Sequence, residues 1–214
     1  MKQPIIITGA PRSGDIITAG ILHLCGAYGG VMDKRHRNEE VHKLVREYLK
    51  HNDVSDLENI HVPAGWCHKV DKIMDTDKTW FVNSTEAALM WPVWAAAYPN
   101  AKWVIVRRKT GDIIQSCIKT AHMSLMKCEK TREEIGVKDE ADGWLWLVHE
   151  YEKRFVEMIT AGLDVKVMWP QRMVFGDFQQ VHQLLAWTGL RWTSEVLGYV
   201  DEKLEHTRIK ETAL

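Results

Sequence analysis

The chemistry this sequence offers sits in two places: Gly9-Ala10-Pro11-Arg12-Ser13-Gly14, and the later pair Arg107-Arg108 with Ser116. A glycine loop running into a helix suits an anion. The first N–H groups of a helix have no intrahelical partner, and the helix dipole favours negative charge at that end. Arg108 is planar and permanently charged, so it can grip a phosphate through two hydrogen bonds, and Ser116 adds a neutral donor. The glycine spacing is that of a Walker A loop, but the Lys and Ser/Thr that should follow are Asp15 and Ile16. Without that Lys, and without a hydroxyl for Mg²⁺, the loop is poorly equipped for ATP hydrolysis. The predicted strands end in Gly9, Asn83, Arg107 and Trp169. None of these is the Asp that would hold a nucleotide-bound Mg²⁺.

The elements that must position these residues are legible. Pro4–Thr8 is a β-branched apolar run that reads as a buried strand, and Ile17, Ile21, Leu24 and Cys25 then recur at helical spacing up to a C-cap at Gly26. Tyr28–Met32 is a candidate second strand. Thr79–Val82, Lys102–Val106 and Val165–Trp169 read as further strands. The helix after Asn83 carries Leu89, Met90, Trp91 and Trp94, with a kink or break at Pro92. A stripe of Ile114, Cys117, Ile118, Ala121 and Leu125 follows Gly111, and Trp144, Val148, Tyr151, Phe155 and Ile159 make a longer amphipathic helix. Asp177 with Gln180 resembles a capping box opening a helix that stops at Gly189. Residues 33–78 are read as a helical or loop insertion, with a weak stripe at Val41, Leu44, Val45, Tyr48 and Leu49, and 127–140 as a mobile charged surface segment. Strands alternating with helices predict an α/β fold over 1–214, a parallel sheet covered on both faces.

Composition narrows the partners. With 28 basic against 29 acidic residues the net charge is −1, without the basic excess that phosphate neutralisation of nucleic acid requires. No stretch approaches 18 apolar residues and the start lacks the apolar core of a signal peptide, so no membrane partner and a cytoplasmic location are expected. Cys25, Cys67, Cys117 and Cys128 form no Cys-x-x-Cys pair and read as free thiols. Cys67-His68 near His61 fits no zinc spacing, and no metal is expected.

The two loops together resemble the sulfotransferases that use 3′-phosphoadenosine 5′-phosphosulfate (PAPS). In that family a Pro-Lys/Arg-Ser-Gly-Thr loop holds the 5′ side, and a strand ending in Arg, with Ser eight residues on, holds the 3′-phosphate. Here Pro11-Arg12-Ser13-Gly14 matches the first, and Trp103–Arg108 followed by Gly111–Ser116 matches the second. The resemblance extends to 23–29, 81–99 and 176–190, about half the chain. It implies a P-loop NTPase-like (sulfotransferase-like) sheet, with PAPS as co-substrate held by Ala10, Pro11, Arg12, Ser13, Gly14, Asp15, Ile16, Arg108 and Ser116. The acceptor would be a small molecule, carbohydrate or peptide bearing a hydroxyl or amine. Arg12 would stabilise charge and Glu86 would serve as the base. His36, Glu39, Glu40 and His122 are looser candidates for that role, and Arg208 for acceptor or 3′-phosphate contact.

The departures are specific. Asp15 stands where the family has Thr, so its carboxylate either opposes the phosphosulfate or merely caps the helix. Asn83 replaces the family's Lys, and Thr85 stands in place of its His. A non-catalytic binder of adenosine 3′,5′-bisphosphate is thus the alternative to an enzyme, with a P-loop nucleotide kinase a distant third. Trp66, in a Gly-containing loop, could stack on a ring or pack in the core, whereas Trp144 belongs to a core-facing stripe.

Overall fold

Period-two alternation in the apolar runs settles which side chains meet on each face of the sheet. The computed structural model describes residues 3–54, 57, 60–74, 77–120 and 126–211, with side chains as far as Leu204. Its strands are β1 (Ile5–Gly9), β2 (Phe81–Asn83), β3 (Lys102–Val106) and β4 (Asp164–Met168), all parallel, in the order β2-β1-β3-β4. Ile6, Val82, Trp103 and Ile105 face one side; Ile5, Ile7, Phe81, Val104 and Val106 face the other.

Helices cover both faces. They are α1 (Asp15–Leu24), α2 (Glu39–His51), α3 (Trp66–Ile73), α4 (Trp91–Ala97), α5 (Thr110–Lys119), α6 (Glu129–Glu134), α7 (Glu140–Thr160), α8 (Gln179–Thr188) and α9 (Glu195–Glu211). Residues of α2, α3, α4, α5 and α7 build the core on the Ile6 side, and those of α1, α8 and α9 build the core on the Ile5 side. The expected α/β architecture, a parallel sheet flanked on both faces, is therefore present. Among the described residues no helix is long and apolar enough to cross a membrane.

Several expectations are corrected. Tyr28–Met32 is not a strand: Tyr28 makes a single bridge to Trp80, and Gly30, at φ 71°, turns the chain away. The segment 33–78 contains α2 and α3, with Val41, Val45, Tyr48, Trp66 and Val70 buried. Its mixed charge is the solvated face of an amphipathic helix and hid a stripe that was real. Residues 127–140 hold α6. On α7 Met158 is buried and Ile159 is 54% exposed, because the stripe follows 3.6 residues per turn beyond Phe155. On α5 Ile113 and Cys117 are the buried pair, Ile118 is exposed, and Ala121 and Leu125 lie outside the described residues. Gln180 does not complete a capping box: its Oε1 accepts from Trp169 N, while Asp177 Oδ1 accepts from Gln179 N. Pro92 does mark a break, between a 3₁₀ turn at Thr85–Ala88 and α4.

One contact ties the last helix to the first. A Cβ on Gly20 would overlap the ring and hydroxyl of Tyr199, whose OH donates to Ile16 O at 3.1 Å. Gly20→Ala is expected to push Tyr199 out of this notch and cost about 1–3 kcal/mol. At roughly 2–4 °C per kcal/mol for a chain of this size, thermal melting reads the change directly.

Candidate functional site

The site begins where β1 ends. β1 and β3 are adjacent and pair Thr8 with Ile105 and Gly9 with Val106, so the loops that follow them emerge side by side at the sheet's C-terminal edge. Open α/β folds bind ligands at that edge. Gly9 is required there, because a Cβ would overlap Ser13 Oγ and crowd the Val106 carbonyl. Ser13 N donates to Ala10 O at 3.1 Å, closing the turn, and Gly14, at φ 100°, is the N-cap of α1. The N–H groups of the first turn of α1 open toward the loop as helix geometry demands.

Arg12 occupies the left-handed region at φ 68°, a conformation that costs a non-glycine residue about 1–3 kcal/mol. The later motif holds it there. Arg12 Nε donates to Ser116 Oγ at 3.0 Å, and Arg108 Nη1 donates to the Arg12 carbonyl at 3.4 Å. The two motifs thus interlock. Arg108 Nε is buried with no hydrogen-bond partner and stands 3.8 Å from Asp112. Arg107 is committed elsewhere, pairing with Glu152 through Nε and Nη2 and lying over Trp169.

Beside the loop lies a polar cluster. Asp15 is 4% exposed and 4.0 Å from Arg37 Nη2. Burial raises its carboxyl above the ordinary value, and Arg37 and the Asn83 amide pull in the opposite direction. Asn83 Nδ2 donates to Arg35 O, tethering β2 to the turn at 33–37. Glu86 accepts from Ser84 Oγ at 3.1 Å and Thr85 Oγ1 at 3.0 Å. Burial would raise Glu86, but its own N–H, Arg37, His42 and Thr85 outweigh burial and hold it below the ordinary value. Tyr151 reaches the same cluster from α7, and burial pushes its phenol up.

Three of these groups escaped sequence reading. Arg37 and His42 sit in a charge run with no distinguishing mark, and Tyr151 carries its hydroxyl on a side chain that reads as core. The usable signal was Asp33, a turn residue whose Oδ1 accepts from Arg35 N and Arg37 N and so aims Arg37 inward.

Other candidates fall away from the cluster. His36 packs against His23, with its Nε2 3.2 Å from the Tyr199 hydroxyl. Glu39 and Glu40 are exposed in the first turn of α2, where the helix dipole favours acids. Trp66 opens α3 at 4% exposure, edge-on to Trp94 and Tyr48, so it packs and does not offer a stacking platform. Trp144 is buried as expected. His122 and the side chain of Arg208 lie outside the described residues. All four cysteines are free, and among the described residues no group of three or more His, Cys, Asp and Glu could hold a metal ion.

No protein-family model and no curated protein matches the chain. Solved structures do. The sulfotransferase domain from the curacin biosynthetic pathway superposes with a TM-score of 0.62 at 12% identity, over 93% of this chain and 78% of that one. The chain has the sulfotransferase fold. Sulfotransferase STF9 from Mycobacterium avium gives a TM-score of 0.57 at 11% identity over 96% of this chain and 68% of that chain. STF1 from Mycobacterium tuberculosis gives 0.54 at 15% identity over 94% and 71%. In the sulfotransferase fold of this chain, both phosphate-type motifs lie on one edge of one sheet, with the Asp15–Arg37–Glu86 cluster beside them.

Proposed function

We propose that the chain is a sulfotransferase that takes a sulfuryl group from PAPS to a hydroxyl or amine acceptor. The observation that carries this reading is the interlock of the two motifs, in which Arg12 meets Ser116 and Arg108 meets the Arg12 carbonyl. A ligand with phosphate on both the 3′ and 5′ positions of one ribose needs two anion sites close together, and the loops after the neighbouring strands β1 and β3 would supply them. The residues fit such a ligand: Ser13 Oγ and Arg108 Nε are buried polar atoms without a hydrogen bond, the latter with only Asp112 at 3.8 Å, a costly state that a ligand would relieve.

The bound donor would supply the sulfuryl group. Arg12 and the N–H groups opening α1 neutralise negative charge at the 5′ side, and Arg108 with Ser116 hold the 3′-phosphate. Glu86 accepts the acceptor's proton, with Ser84 and Thr85 orienting its carboxylate. Catalysis then rests on positioning and charge neutralisation. A non-catalytic bisphosphate binder is the second reading. It is favoured by Asp15 in place of Thr at the head of α1, and a coupled sulfuryl-transfer assay separates the two.

The test of the site is a thermal-shift comparison. Adenosine 3′,5′-bisphosphate should stabilise the chain without added metal, by about 2.7 kcal/mol at a hundredfold excess over Kd. ATP should do so weakly, and Mg²⁺ should not help. Equal shifts from both nucleotides, or a strict Mg²⁺ requirement, would sink the reading and favour a kinase.

A further inference from the structure

The first turn of α1 contains polar groups that the protein itself does not satisfy. Asp15 is 4% exposed, and its Oδ2 has no hydrogen-bond partner, only an ion-pair contact at 4.0 Å with Arg37 Nη2. Ser13, two residues earlier, is fully buried with its Oγ in the same state. The backbone N–H of Asp15, one of the donors that open α1, favours the ionised form of its carboxyl. An ionised carboxylate at the head of α1 would repel an anion arriving at the loop. A carboxylic acid would do the opposite, because its O–H is a donor that an anion accepts.

We propose that Asp15 takes up a proton from solvent when an anion binds the 9–14 loop, and that the neutral carboxyl then donates a hydrogen bond to that anion. The inference rests on the reading above that this loop holds the 5′ phosphate side of the nucleotide. It assigns Asp15 the donor role that the Thr hydroxyl would have, at the cost of one proton per ligand.

The groups around Asp15 set the balance. Arg37, from the turn at 33–37, favours the ionised form, while burial and Glu86, from the 3₁₀ turn, favour the protonated one. Asn83 reaches the carboxyl from β2. Tyr151 on α7 and Tyr199 on α9 also face it, and both stay neutral because burial pushes their phenols up, that of Tyr199 to about 12. His42 on α2 couples to Glu86 and Arg37, and burial lowers its pKa. The site therefore sets a guanidinium and a carboxylate held below its ordinary value beside a carboxyl that burial pushes toward its neutral form. A ligand anion adds negative charge beside that carboxyl, and by linkage binding must draw in a proton.

Calorimetric titration with adenosine 3′,5′-bisphosphate, in buffers of different ionisation enthalpy, counts the protons exchanged. It is run on the wild-type chain and on Asp15→Asn and Asp15→Thr, near pH 7 and near pH 8. The second condition lies above the phosphate's own ionisation at about pH 6, so uptake there comes from the protein. Wild type should take up about one proton more per nucleotide than either variant, and its affinity should fall up to tenfold per pH unit relative to Asp15→Asn. Should the variants fail to fold, proton uptake by wild type near pH 8 decides alone: about one supports the proposal, none overturns it. Identical uptake and pH slope in wild type and Asp15→Asn would overturn it. So would binding by the variants but not by wild type, which would leave the nucleotide site standing. Loss of binding in all three folded proteins would instead remove the reading of the loop itself, and this proposal with it.

Discussion

Arg108→Ala is expected to weaken adenosine 3′,5′-bisphosphate by about 2–4 kcal/mol, or about 30- to 1,000-fold in Kd. Truncating one partner of a desolvated, charge-assisted contact both removes the bond and leaves the phosphate without its counter-charge. Geometry singles out Arg108 over its neighbour. Arg107 is already engaged by Glu152 and by the Trp169 ring, 5.2 Å away. Arg108 keeps a buried Nε with no hydrogen bond, 3.8 Å from Asp112, and its Nη1 donates to the Arg12 carbonyl. Burial lowers the Arg108 pKa, but a guanidinium remains charged. The control is adenosine 5′-monophosphate, which lacks the 3′-phosphate and should bind the variant almost as it binds wild type. Equal losses for both nucleotides would mean that Arg108 acts by propping the strained Arg12, not by touching phosphate. Direct titration of both ligands on one preparation decides between these outcomes.

What the sequence disclosed and what it hid follow from one distinction. β1, β3 and the loops after them were legible because their constraints are local: β-branched runs, glycines that forbid a Cβ, arginines at strand ends. The bare backbone at Gly9, against Ser13 and Val106, is a tertiary demand that leaves a local mark. The Arg37 side of the site left no such mark. Its position depends on the turn made by Asp33, on the Asn83 tether to Arg35, and on burial by helices from the far end of the chain. Charge runs have no period of their own, so α2 showed only as a weak stripe and α3 was obscured, although both pack on the main core. Trp66 shows a choice that sequence alone left open between stacking and packing: Gly65 is the left-handed N-cap of α3, and Trp66 packs in the core.

Glu86→Gln is expected to reduce sulfuryl transfer by about 10²–10⁴-fold while leaving bisphosphate affinity within about twofold. Glu86 lies three residues beyond the end of β2 and is held by two hydroxyls, Ser84 Oγ and Thr85 Oγ1. Its lowered pKa cuts both ways. The group is fully ionised at neutral pH, so it is always ready to accept a proton. It is also a weaker base than one tuned near pH 7, which places the expected loss toward the smaller end of the range. The sign of the shift also fixes the pH profile. A carboxyl depressed in the folded state stays ionised as pH falls through its unfolded value, and any stability it lends is lost only below that, through the folded value. Transfer limited by Glu86 should therefore hold its rate from neutral pH down past the ordinary carboxylate range of about 4. Gln keeps the shape and still accepts a hydrogen bond, but it cannot take a proton and leaves Arg37 facing one fewer negative charge. If Glu86 serves only to cap the 3₁₀ turn, the variant should melt lower and transfer at the wild-type rate. Rate, affinity and melting temperature on this one variant separate a base from a cap.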